Sequence, residues 1–162
     1  MNSSEGFQTK IWGAPLWLCL HMISLNYTPD KHKGYKSFFE SLQYVLPCKA
    51  CRDNYSNILQ NKLPLSDSVF KSRESMAFWV FKLHNQVQRD IYNRTQLEHD
   101  KPMYKDTYTD FYKAIGIYDN FRAKCTKNSH GCVVPVKGSR RRTKITIARF
   151  AKPRKGPAII VN

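Results

Sequence analysis

No run of about 18 apolar residues occurs anywhere in the chain, so no helix long and apolar enough to cross a bilayer is expected. The opening MNSSEGFQTK lacks the basic stretch followed by an apolar stretch that a secretory signal requires. These two absences make a soluble protein in a reducing compartment the expectation. No internal repeat is present, and strong alternation is confined to KITIARF near the end, which allows one short strand there and argues against a sheet-based fold. Acidic residues are missing altogether from residues 133–162, which carry 9 Lys/Arg, whereas residues 1–132 carry 18 Lys/Arg against 12 Asp/Glu. More than half of the net charge of +15 therefore sits in a basic C-terminal tail. A soluble end, docking to an acidic protein, contact with an anionic membrane and non-specific nucleic-acid binding all suit such a tail.

What is present is enough to close a core. Hydrophobic residues make up 41% and aromatic residues 13% of 162 residues, which is one domain with a tail and needs no metal to fold. Helical patterning dominates. Trp12–Tyr27 reads as a mostly buried helix with Pro15 in its first turn, and Trp17 and His21 fall on one face. After the linker PDKHKG, Tyr35–Val45 presents Tyr35, Phe38, Phe39, Leu42 and Val45 at helical spacing. Pro47 ends that helix or opens the next, which puts Cys48 near a helix N-terminus, and LPLSDS reads as loop. The clearest helix spans about 74 to 92, with Ser72 and Ser75 as a cap although the acid of Arg73–Glu74 comes one position early for a capping box. Thr107–Lys124 gives a fifth, shorter helix interrupted by Gly116. The expected fold is all-α: a four-helix bundle with a short fifth helix, spanning residues 1–132, and a basic tail at 133–162.

Five cysteines, Cys19, Cys48, Cys51, Cys125 and Cys132, form one C-x-x-C, one C-x6-C and a leftover. Cys19 lies in an apolar helical segment and is expected to be a buried, inert thiol. At a helix start, orphan N–H groups and the helix dipole stabilise a thiolate below its usual pKa of about 8.5. Local sequence alone leaves thiol redox, half a metal site and two core cysteines open for Cys48 and Cys51. The metal reading would add Cys125, His130 and Cys132 as ligands, making a zinc-binding helical module whose basic tail binds nucleic acid. Against it, C-x4-H-x-C is an unusual zinc spacing, and the ligands would come from about 75 positions apart. Cys125 and Cys132 are expected to close a local structural disulfide, with a substrate-relay pair as the alternative.

Four stretches occur in the order of one family. WGAPLWLCLH carries Trp12, Gly13, Trp17, Leu20 and His21; LPCKACRDNY carries the cysteine pair; SRESMAFWVFKLHNQVQ carries Arg73, Trp79, His84, Asn85 and Val87; YDNFRAKC ends at Cys125 and is followed by GCVVP. Together they resemble the FAD-linked sulfhydryl oxidases of the Erv/ALR type, and in particular the branch encoded by large cytoplasmic DNA viruses. The resemblance implies FAD held within the bundle beside a Cys48–Cys51 disulfide, lined by Trp12, Trp17, His21, His84, Asn85, Val87, Gln88 and Tyr104. It implies a thiol oxidase that passes electrons from substrate dithiols through the cysteine pair and FAD to molecular oxygen, releasing hydrogen peroxide. Cys48 would receive substrate and Cys51 would face the flavin. A homodimer, virion proteins as substrates, and a site in the host cytoplasm, virus factory or virion are implied likewise. Asn54 stands where cellular members carry His, Gln88 replaces an Asn, and Asn93 replaces a lysine for which Arg94 and Lys101 are nearby substitutes. Burying the adjacent polar groups of His84 and Asn85 on an apolar helix is costly without partners, which a bound cofactor would supply.

Overall fold

The computed structural model describes residues 6–121. The Cys125–Cys132 pair, the basic tail and the KITIARF strand lie outside these residues. Five α-helices and four short 3-10 turns make up the described residues, without a sheet. They are α1 (Thr9–Leu25), α2 (His32–Val45), α3 (Lys49–Asn61), α4 (Arg73–Thr95) and α5 (Tyr108–Ile115). The 3-10 turns are Pro29–Lys31, Asp67–Phe70, Glu98–Asp100 and Tyr118–Phe121. α1 packs chiefly on α4, α2 on α3, and α3 and α5 on other parts of α4.

Boundaries differ from the sequence expectation for local reasons. α1 begins at Thr9, so Pro15 lies inside the helix and not in its first turn. Proline leaves the carbonyl four residues back without its helical donor. That carbonyl belongs to Ile11, which is exposed, so water can take the donor's place. Pro29 opens a 3-10 turn that runs into α2 at His32, and half of the expected linker is therefore helical. A Cβ at Gly34 would meet nothing within 4 Å, so no close approach requires glycine there. At the start of α4 the cap forms without an acid. The Ser75 N–H donates to Ser72 Oγ at 3.0 Å and the Ser72 N–H donates to Ser75 Oγ at 2.9 Å, so the serine hydroxyl does what a glutamate does in the usual box. α5 stops at Ile115 with Gly116 as its C-cap, and a 3-10 turn carries Tyr118 onward.

Leu20, Phe39, Ile58, Met76, Trp79, Val80 and Leu83 form the main core, and a second cluster gathers Phe81, Phe111 and Ile115 under α5. Buried hydroxyls are satisfied: Tyr27 donates to the Phe70 carbonyl at 2.7 Å and Tyr55 to the Phe39 carbonyl at 2.8 Å. The first bond ties the segment after α1 to the turn before α4, the second ties α3 to α2, and neither hydroxyl is left without a partner.

Cys19 is a correction. It is a free and exposed cysteine, because it falls with Ile11, Pro15, Leu18 and Met22 on the face of α1 turned away from α4. α1 is apolar nearly all round, so composition could not tell its inner face from its outer one.

Candidate functional site

α3 starts at the cysteine pair. Leu46 and Cys48 hold extended backbone on either side of Pro47, which keeps α2 from running on, and Cys48 is the N-cap of α3. Its sulfur accepts from the Cys51 N–H at 3.2 Å, taking one of the orphan donors at the helix start. Cys48 and Cys51 are joined by a disulfide with Cα atoms 5.1 Å apart. The bonded pair holds no thiolate for zinc, and no cluster of metal-ligating side chains occurs among the described residues.

Both cysteines are half-buried. Cys51 packs against the main core cluster, and Cys48, as the N-cap, sits at the mouth of α3.

On the α1–α4 seam the sequence-expected rings come together. Trp17 stacks on His84 with centroids 4.0 Å apart and planes 9° apart. His21, almost fully buried, has Nε2 3.0 Å from His84 Nδ1. A hydrogen bond at this distance needs one proton between the two nitrogens, so one of these nitrogens donates and the other accepts. Burial, and then the neighbouring His84, pushes the His21 imidazole down to about 3. Burial alone pushes His84 down to about 4. One residue missed by sequence reasoning joins them: Tyr118 stacks on His21 with centroids 5.1 Å apart. Burial and then Tyr104 push its hydroxyl up to about 12. Its segment reads as one face of a continuing helix, so no local signal singled it out.

The remaining expected residues divide. Val87 borders the main core with Cys51 and Trp17. Trp12 borders the same cluster but spends its indole N–H on the Phe7 carbonyl, at 3.0 Å. Asn85 is buried, and its amide donates to Asp106 Oδ1 at 2.8 Å; Arg89 pairs with the other oxygen of that carboxylate at 2.9 Å. Asn85 thus has a protein partner as well as any cofactor. Gln88 is half-buried one turn beyond His84. Tyr104 packs with Phe81 in the second cluster and neighbours Tyr118. A cavity of about 620 Å³ between α2 and α3 is lined by Ser37, Glu40, Tyr44 and Leu59 among others. None of the candidate residues borders it.

The seam presents aromatic, uncharged side chains of the kind that can line a flat apolar ring, with Trp17 and His84 stacked on each other.

Comparison with known proteins gives the same direction. A model of the Erv1/Alr family matches residues 14–109. A probable FAD-linked sulfhydryl oxidase of Acanthamoeba polyphaga mimivirus is 42% identical over 80 residues, 47% of this chain and 55% of that protein. The FAD-linked sulfhydryl oxidase of Arabidopsis thaliana is 26% identical over 83 residues, 49% of this chain and 41% of its own length. A putative FAD-linked sulfhydryl oxidase of invertebrate iridescent virus 6 is 27% identical over 84 residues, 48% of this chain and 76% of that protein. The chain thus spans about half the length of the first two relatives. The family match covers both cysteines of the pair, the whole α1–α4 seam from Trp17 to Val87, and more than half of the sequence: this chain belongs to the Erv1/Alr family.

Proposed function

We propose that the chain is an FAD-dependent thiol oxidase that forms disulfides in substrate proteins. One observation carries the reading: a C-x-x-C disulfide at a helix N-terminus, with Cys51 packed against the same main core that Trp17 and Val87 border. The four longer helices form the bundle, residues 1–132 the oxidase domain and 133–162 the basic tail. Trp12, Trp17, His21, His84, Asn85, Val87, Gln88 and Tyr104 hold the FAD, with Tyr118 added to that set.

A substrate thiolate attacks Cys48 Sγ; the Cys48–Cys51 bond breaks and Cys51 leaves as a thiolate. The second substrate thiolate attacks the mixed disulfide, forming the substrate disulfide and releasing Cys48. The Cys51 N–H that contacts Cys48 Sγ at 3.2 Å, with the dipole of α3, stabilises Cys48 as the leaving group. Two electrons then reside on the cysteine pair, and the protons are shed to solvent. When bound, FAD supplies the acceptor for these electrons and passes them to molecular oxygen, yielding hydrogen peroxide. The neutral histidines and Trp17 orient and shield the ring without adding a charge.

No helix among the described residues is long and apolar enough to cross a membrane. The outer face of α1, with Phe38 and Val45 of α2 also exposed, supports a homodimer. Two of the similar proteins are viral, which supports virion proteins as substrates and the host cytoplasm, virus factory or virion as the site of action.

The test is the absorption spectrum of natively purified protein. A flavin spectrum with one FAD per chain is expected, together with oxygen consumption on addition of a dithiol. Colourless protein with stoichiometric zinc, losing helicity on chelation, would overturn the reading in favour of a zinc-binding module.

A further inference from the structure

Residues 6–8 run antiparallel beside the backbone leading into the disulfide. Gly6 pairs with Cys48 in an isolated bridge. The Phe7 N–H donates to the Pro47 carbonyl at 2.7 Å, and the Phe7 carbonyl accepts the Trp12 indole N–H at 3.0 Å. This strap runs straight into α1, of which Gln8 is the N-cap. Its fit is specific to one residue. Gly6 has φ +126°, and a Cβ there would overlap the Pro47 oxygen and lie 2.8 Å from Cys48 Cα, so only glycine takes this place unstrained. Side chains contribute little, since Phe7 is 78% exposed. The main chain of Cys48 is otherwise fastened from within residues 46–52. Its N–H donates to the Leu46 carbonyl at 2.8 Å, and its carbonyl accepts from the Cys51 and Arg52 N–H groups at 3.1 and 3.0 Å. The strap adds a main-chain bond that reaches this turn from the start of α1.

We propose that the Gly6–Phe7 strap is a positioning element for the redox pair: it holds Cys48 as the N-cap of α3 after the disulfide opens, so that its sulfur stays on the orphan N–H groups of the helix. The inference rests on the thiol-oxidase reading and deepens it. While the pair is closed, the S–S bond itself keeps Cys48 Sγ at the helix start, beside the Cys51 N–H. Substrate attack breaks that bond. Cys48 must then leave the mixed disulfide as a thiolate, and the helix start stabilises that thiolate only while the sulfur remains there. The cationic side chains next to it in α3 are engaged elsewhere, Lys49 with Asp53 and Arg52 with the Leu46 carbonyl. Gly6, Phe7 and Gln8 carry no charge, so changing the strap alters where the backbone puts the sulfur and not the charge around it.

The experiment compares wild type with Gly6→Ala, which forces the strap off Cys48, Phe7→Pro, which removes the donor to Pro47, and Phe7→Ala, which keeps that donor. Thermal melts of all four proteins come first. The pH profile of Cys48 alkylation by iodoacetamide is then followed by mass mapping in fully reduced, anaerobic protein, and oxygen consumption is measured with dithiothreitol. Gly6→Ala and Phe7→Pro are expected to move the midpoint of the Cys48 profile up by about one pH unit and to lower kcat/KM for dithiothreitol, whereas Phe7→Ala should match wild type. Unmoved midpoints in the folded Gly6→Ala and Phe7→Pro variants overturn the positioning role. An equal shift in Phe7→Ala also overturns it, by assigning the effect to the side chain. The alkylation profile is read without turnover, so its failure is distinct from wild type consuming no oxygen, which would remove the thiol-oxidase reading and the inference resting on it. If Gly6→Ala fails to fold, Phe7→Pro decides by the same criterion.

Discussion

The two faces of α1 are made of similar residues and do different things. Inward, Trp17, Leu20 and His21 meet α4, and the seam closes on His84. Outward, Ile11, Leu18 and Met22 stand exposed beside the free thiol of Cys19. Hydrophobicity therefore says that a helix has work to do on more than one side, and only the partner helix says which side is core. The inner face carries precise ring geometry and paired polar atoms; the outer carries bare apolar area, which suits a second copy.

Two leucines on one helix give the sharpest contrast. Leu20 is 3% exposed and Leu18 is 41% exposed. Leu20→Ala should cost about 2–5 kcal/mol in urea unfolding, while Leu18→Ala should stay within about 0.5 kcal/mol for the monomer. Equal losses would erase the distinction between the faces. Lowering pH should attack the inner face selectively. Each histidine is held below its ordinary value of about 6.5, so its contribution to stability is complete above that pH. It is lost as pH falls toward about 4 for His84 and about 3 for His21, since the unfolded chain binds the protons first. Melting temperature should drop between pH 6.5 and 4 more steeply in wild type than in a His21→Gln, His84→Gln double variant, and parallel curves would show the pair to be exposed. The outer face is probed by Leu18→Lys with Met22→Lys: sedimentation should shift from dimer to monomer with the flavin spectrum kept. An unchanged dimer would move the interface elsewhere. Smallest of all is the effect of Cys19→Ser, expected within about 0.5 kcal/mol. Mass mapping of the Leu18→Lys, Met22→Lys monomer should find Cys19 alkylated while Cys48 and Cys51 react only after reduction.

How much of this was legible beforehand differs by scale. Helix existence was, because periodic apolar residues in 35–45 and 74–92 leave little choice. The caps were partly so: Ser72 and Ser75 announced themselves, but that a hydroxyl would replace the missing acid depended on its rotamer. Trp17 and His21 could be paired from their spacing on one helix. That His84 closes on them across 63 residues followed only from the family resemblance, since local pattern contains no information about which helices meet. Tyr118 escaped notice because Gly116 ends α5 and redirects the chain, turning an expected helix face into a turn that reaches His21. Cys19 was misplaced for the opposite reason: the apolar surroundings in sequence were real but faced outward.

The Asp106 carboxylate, which accepts from Asn85 and Arg89, has a consequence in chain statistics. The connection between α4 and α5 also packs on α4 through Glu98–Asp100 and through Tyr104 on Phe81. Fastening Asp106 to the middle of α4 adds a polar pin next to α5 and leaves a slacker part around the exposed Leu97. Lengthening the slack part costs little, about 0.6 kcal/mol for each doubling, so Gly/Ser insertions near Leu97 should leave α5 seated. The same insertion between Asp106 and Tyr108 would separate the pin from the helix it serves, and α5 would lose its register on α4.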